Sequence, residues 1–291
     1  MIKRVFLFLL TNILVVTTIS IVLGVLGVQP YLTNAGIDYQ ALAIFCFIYG
    51  MVGALISLAL SRIMAKFMMG VKVLEPGKAG NYEGLVQMVH QIAKDAKLPA
   101  MPEVGVYESP EVNAFATGPT KRRALVAFST GILGTMRREE IEAVAAHEIA
   151  HIKNGDMVTM TLLQGIVNAF VMFLARAIAF VVSQNVKQDS QASVRFMVTL
   201  VLDILLSLLG SMVVAWFSRH REFRADAGAG ALRGKHNMIG ALESLGRLSG
   251  RPVDNTHPSL ATMKINGGRG GFWALLASHP PLEQRIAALQ R

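Results

Sequence analysis

Long apolar runs alternate with polar stretches along this chain. Val5–Val28 passes through 24 positions without a charge, and Tyr39–Ser61 gives another 23. At ~1.5 Å of rise per residue, a helix of either length crosses a hydrocarbon core of ~30 Å. Two further runs, Met157–Val182 and Phe196–Phe217, each hold one charge, Arg176 and Asp203 respectively. Four membrane helices are therefore expected, with a buried core hairpin that never spans as the alternative for the last two. The first run follows Lys3 and Arg4, as a signal peptide's would. It exceeds the ~7–15 residues of a signal core and no A-x-A site follows, so a retained anchor is expected. The chain divides into two N-terminal spans (1–61), a polar segment (62–156), a hairpin of spans (157–217) and a second polar segment (218–291).

Within the hairpin, the polar stretch Ser183–Arg195 reads as a short turn. Arg176 then lies six residues before the exit of one span and Asp203 seven after the entry of the next. Ionisable groups in membrane helices pair or line wet cavities, so these two are expected to form an ion pair. Gly53, Ser57 and Ser61 make a smooth stripe on the second span, a candidate helix-packing face.

The polar segments carry a different rhythm. Tyr82–Ala96 is amphipathic at helical period and is broken by Pro99 and Pro102. Glu103–Tyr107 and Arg123–Phe128 alternate like short strands, with Asn113–Ala116 between them and Gly118-Pro119 as a turn signal. A helix is expected from Met136 to Lys153, with Thr135 as N-cap, Glu139 and Glu140 in its first turn and Asn154-Gly155 as its stop. The fourth span is expected to continue as a helix through Asp226, followed by another from His236 to Leu248. Gly267–Gly271 reads as a mobile loop. It lacks the strand–helix setting of a phosphate cradle.

Composition agrees with a membrane protein. Apolar residues make up 53% of the chain and charged residues 16%, against ~45–50% and ~25% in soluble domains. The net charge of +9 is concentrated beside the spans. Lys3, Arg4, Arg62, Lys66 and Lys72 flank the first two, and Arg219, Arg221 and Arg224 follow the fourth, whereas residues 29–40 hold no Lys or Arg and residues 183–191 only Lys187. The positive-inside rule puts both termini and both polar segments in the cytoplasm. No basic run is interleaved with aromatics, which argues against nucleic acid as a partner. Cys46 is the chain's one cysteine, so it can form no intramolecular disulfide and no thiolate metal cage.

The chemistry lies in His147-Glu148-Ile149-Ala150-His151. Histidines four apart on a helix share one face, one turn apart, and can close on a single Zn²⁺. Glu148 is badly placed to be a third ligand but well placed as a general base, taking the proton of a water that zinc acidifies towards pKa ~7. The third ligand must come from another polar segment. Glu222 and Asp226, one turn apart beyond the fourth span, are both candidates. One can ligate while the other orients a histidine. The longer side chain favours Glu222. His90, His220, His236 and His257 read as solvated or packed histidines.

Residues 147–156 (HEIAHIKNGD) and 218–226 (SRHREFRAD) resemble the paired signatures of the HtpX family of bacterial membrane zinc proteases. Residues 113–118 (NAFATG) and 279–286 (HPPLEQRI) resemble two further motifs of that family, and the four spans extend the likeness over essentially the whole chain. The resemblance implies a mainly α, multi-span membrane protein with a zincin-like (gluzincin) α+β catalytic domain. It implies one Zn²⁺ per chain held by His147, His151 and Glu222, with Glu148 as base and Asp226 behind a ligand. It further implies a role in the bacterial inner membrane. There the family cleaves misfolded or damaged membrane proteins at the cytoplasmic face, in quality control and stress response, overlapping with a membrane-bound ATP-dependent protease. His279 resembles a family histidine suited to steadying an oxyanion, and Asn113–Ala116 suits an edge strand that pairs with extended substrate. The CAAX prenyl endopeptidases share both signatures more distantly, which leaves a prenylated C-terminus as an alternative substrate. A non-catalytic membrane adaptor with a structural metal site is a third reading. Structural zinc sites need four protein ligands, however, and give a glutamate beside the first one nothing to do.

Overall fold

The computed structural model describes residues 36–249 and 277–291, together with isolated positions between 13 and 33. The expected first span, the Gly267–Gly271 loop and His257 fall largely or wholly outside these residues. In chain order the elements are β1 (Leu32–Thr33), β2 (Gly36–Ile37), α1 (Tyr39–Met68), β3 (Lys72–Leu74), α2 (Glu83–Asp95), β4 (Glu103–Tyr107), β5 (Ala114–Thr120), β6 (Arg123–Ser129), α3 (Thr130–Thr135), α4 (Arg138–Asn154), α5 (Asp156–Ser183), α6 (Gln188–Arg233), α7 (Lys235–Ser249) and α8 (Leu282–Gln290).

Among the described residues, α1, α5 and α6 are long and apolar enough to cross a membrane. Their large apolar side chains point outward, as with Phe196 at 68% exposure and Ile204 at 63%. In water such a surface would drive association, whereas in a bilayer it meets lipid. The chain forms two compact units, residues 1–57 with 160–214 and residues 58–159 with 215–291.

In the first unit, α1 and α5 approach closely at glycines. A Cβ on Gly50 would lie 2.6 Å from the Gly165 carbonyl oxygen, and one on Gly165 would lie 2.7 Å from Met51 Sδ. This contact is centred on Gly50 rather than on the stripe below it, where Ser57 is exposed. The expected turn at Ser183–Arg195 is shorter than the polar sequence suggests. The α6 helix starts at Gln188, because the polar residues 188–195 contain neither glycine nor proline to hold them out of a helix.

Arg176 Nη1 lies 3.8 Å from Asp203 Oδ1 and donates to the Met172 carbonyl at 3.1 Å. The two charges therefore meet as the sequence leads one to expect. A lone Arg or Asp at a bilayer centre costs ~2.5–3.5 kcal/mol, and less nearer the interface. Asp203→Leu should accordingly lower the unfolding midpoint in detergent, and adding Arg176→Leu should recover much of the loss. Strictly additive losses in that double-mutant cycle would show that the pair is uncoupled.

The second unit holds a four-stranded sheet in the order β3-β4-β6-β5. The β4–β6 pairing is parallel and the other two are antiparallel. Val104, Val126 and Phe128 join Val89 and Ile92 of α2, Ile149 and Ile152 of α4, and Leu242 of α7 in one core. Each fully buried side chain of this kind contributes ~1.5–3 kcal/mol. Gly118-Pro119 is a bulge inside β5 and not a turn. Gly118 has φ +144, and a Cβ there would come within 2.1 Å of the Arg123 carbonyl. The pairing shifts register between Thr117 and Thr120, which moves the reversal to residues 121–122. Glu222 and Asp226 lie in the C-terminal part of α6, within this second unit.

Candidate active site

The α4 helix begins two residues later than expected. Thr135 ends α3, and Arg137 takes the N-cap position. The start is secured by Glu140, whose carboxylate accepts from the Arg137 backbone N–H at 2.9 Å and from its guanidinium at 2.8 Å. Ser244 of α7 donates to the same carboxylate at 2.6 Å. Gly155, at φ +75, closes the helix in the left-handed conformation that glycine adopts freely.

Almost every side of α4 is covered. Ala143, Ala145, Ala146 and Ala150 are buried along with Ile149 and Ile152. The small residues permit close neighbours, and a Cβ on Gly228 of α6 would lie 3.0 Å from Ala150 Cβ. This crossing brings Glu222 and Asp226 up to the histidine face.

There His147 Nε2 and His151 Nε2 stand 3.1 Å apart with their rings perpendicular. Glu222 Oε2 is 3.4 Å from His147 Nε2, and its Oε1 is 3.3 Å from His151 Nε2. One donor atom from each residue lies within 4.8 Å of the others. The far ring nitrogens are backed by carboxylates. His147 Nδ1 is 2.9 Å from Asp226 Oδ1, somewhat off the ideal line of a hydrogen bond. His151 Nδ1 is 2.7 Å from Asp156 Oδ2. Two imidazole nitrogens turned towards each other and a shared carboxylate, each imidazole steered from behind by an acid, form a donor set that fits a divalent metal ion.

The electrostatics agree. Burial opposes charge on His147, but Asp226 and Glu222 outweigh it and hold the imidazole's pKa up at about 10. A divalent cation held here would compete with that proton, so its uptake would be coupled to proton release. Burial likewise disfavours an ionised Glu222, yet His279, His147 and His151 hold its carboxyl well below the usual range. His279 Nδ1 lies 2.7 Å from Glu222 Oε2. That ring edge is thus committed to Glu222, and only the opposite nitrogen is left for an oxyanion.

Glu148 is 5% exposed and looks into a cleft of about 140 Å³ shared with His151, Glu222 and His279. Burial pushes its carboxyl above the ordinary carboxylate range, which makes it a better proton acceptor near neutrality. Ala114, Phe115 and Ala116 of the edge strand β5 line the same cleft. Asn113 is buried beside them, its N–H donating to Ser129 Oγ at 3.1 Å.

The other histidines among the described residues stay apart. The His90 ring is 3.0 Å from the Pro102 carbonyl, the His220 ring 3.0 Å from that of Trp216, and His236 is exposed.

Sequence reasoning passed over two residues. Asp156, five positions after His151, holds that imidazole. Arg285 is fully buried and grips Asp226 with two bonds of 2.8 and 2.6 Å. Both stand inside motifs already singled out, but nothing in their spacing assigns a role.

The sequence profile of peptidase family M48 matches residues 81–291. The chain is 53% identical over 298 residues to a protein described as "Protease HtpX homolog" from Bacillus subtilis (strain 168), covering 100% of this chain and 99% of that one. It is 50% identical over 288 residues to "Protease HtpX" of Pasteurella multocida (strain Pm70), covering 99% and 98%. Among solved structures, the crystal structure of S. mikatae Ste24p superposes with a TM-score of 0.61 at 19% identity, covering 100% of this chain and 67% of that one. At that identity the likeness speaks for the fold alone.

Proposed function

The chain belongs to peptidase family M48 and is a membrane metalloprotease, and from that premise we propose that it is a zinc endopeptidase of the bacterial inner membrane. In this reading it cleaves misfolded or damaged membrane proteins at the cytoplasmic face. The observation that carries the chemistry is the meeting of His147, His151 and Glu222 at one point, with Glu148 in the same cleft. His147, His151 and Glu222 would hold the zinc, which when bound supplies a Lewis acid for peptide hydrolysis. Glu148 accepts the proton of the attacking water and returns it to the leaving amine. Asp226 and Asp156 fix the orientation of the two imidazoles, and His279 steadies Glu222. The edge of β5 holds an extended polypeptide beside the cleft by main-chain bonds, a mode suited to unfolded substrate.

The cytoplasmic placement rests on the basic residues flanking the spans. Both parts of the proposal are testable in vesicles of known orientation. Zinc-loaded protein should cleave a co-reconstituted membrane protein with a destabilised soluble domain faster than its stable parent. In a Cys46→Ser background, Ser190→Cys should react with an impermeant thiol reagent only from the face opposite the cleavage. Equal cleavage of stable and destabilised substrates would contradict the substrate reading. Labelling of Ser190→Cys from the cleavage side would contradict the topology.

A further inference from the structure

The cleft that contains Glu148 also contains a guanidinium that makes no direct ion pair among the described residues, with Asp156 and Glu222 attracting it only from further away. Arg221 lines it and is half-buried. Its Nη2 donates to Ser218 Oγ at 3.0 Å and its Nη1 reaches the Asp156 main-chain carbonyl at a long 3.4 Å. Its Nε is buried without a partner among the described residues. The acids nearby are already engaged. One oxygen of Asp156 takes His151 at 2.7 Å and the other takes Arg224 at 3.2 Å. Glu222 is shared by three histidines. An arginine stays charged at any physiological pH. A partly desolvated charge with only neutral or long contacts is costly unless something else arrives to meet it.

We propose that Arg221 selects substrates that present a carboxylate next to the scissile bond. This rests on the peptidase reading above and deepens it by naming the chemistry of the preferred substrate. The fork of N–H groups matches a carboxylate in two-point geometry. The carboxylate has two sources, an acidic side chain or a free C-terminus.

Paired internally quenched peptides test the inference. Each pair carries Glu or Gln at one of the three positions on either side of the cleaved bond, and a further pair carries a free or an amidated C-terminus. The zinc-loaded, full-length protein in detergent should favour one carboxylate over its neutral counterpart by on the order of tenfold in kcat/KM, the scale of one charge-assisted bond. The responding pair identifies the source. Arg221→Gln should bring that ratio close to one, and Arg221→Lys should keep part of it. The same ratio should appear as a difference in peptide Kd, read by fluorescence anisotropy, in a Glu148→Gln background. Ratios near one for every pair in the unaltered protein would overturn the proposal, with no variant needed. So would an Arg221→Gln protein that slows both members of a pair alike, because a merely structural arginine acts on both. Absence of chelator-sensitive cleavage for every peptide would instead count against the peptidase reading itself.

Discussion

Glu148→Gln is expected to keep its metal and lose cleavage. The amide approximates the shape of the carboxylate and sits in the same buried position, so the packing of α4 is unchanged. It cannot accept a proton from water. Loss of a general base costs ~10²–10⁴ in rate, and the upper part of that range is expected here because burial sets the carboxyl's proton affinity for this task. Metal content by elemental analysis and turnover of an unstructured substrate are the paired readouts. A variant that retained more than half of the original turnover would remove Glu148 from the mechanism. A variant that emptied the site would make it a ligand.

Arg285→Leu is expected to produce the largest loss of stability. Arg285 and Asp226 are both buried, at 0% and 1% exposure, and are joined by two short bonds. Removing one member of a buried pair leaves the other uncompensated and costs ~3–5 kcal/mol. In this protein the damage travels further. Arg285 holds Asp226's carboxyl down at about 2 against the opposing effect of burial, and Asp226 stands behind His147. Loosening that chain should weaken metal binding by the ~10–100-fold typical of outer-shell changes. Glu222→Gln provides the contrast, since it should lower metal occupancy directly, and added zinc should restore part of the activity. If occupancy survives Glu222→Gln while Asp226→Asn empties the site, the roles of the two carboxylates are the reverse of those proposed.

The parts of the site that were legible in the sequence are those set by local geometry. Two histidines four apart on a helix must share a face whatever surrounds them, and Glu222 and Asp226 share a face for the same reason. Which carboxylate meets which ring nitrogen depends on where α4 and α6 cross. That is fixed by Ala150 against Gly228, a contact between residues 78 positions apart that no period announces. Arg285 lies 59 residues after Asp226 and is equally invisible to spacing. The apolar runs identified the three long apolar helices among the described residues because hydropathy needs no partner. The helix start at Arg137 was missed because Thr135 is the better cap by residue type, while Glu140 reaching back to Arg137 decides the start. Gly118-Pro119 has turn composition, yet the left-hand-side φ of Gly118 serves a bulge. Composition reports an unusual backbone at that place without saying which kind.

The central claim is that His147, His151 and Glu222 hold a catalytic zinc ion, and metal content measured alongside chelator sensitivity tests it most directly. Protein purified in detergent should carry one zinc per chain. A chelator should remove the metal and abolish cleavage of an unstructured substrate, and stoichiometric zinc should restore it. Stoichiometric metal accompanied by cleavage that a chelator does not touch, or by no cleavage at all, would contradict the account.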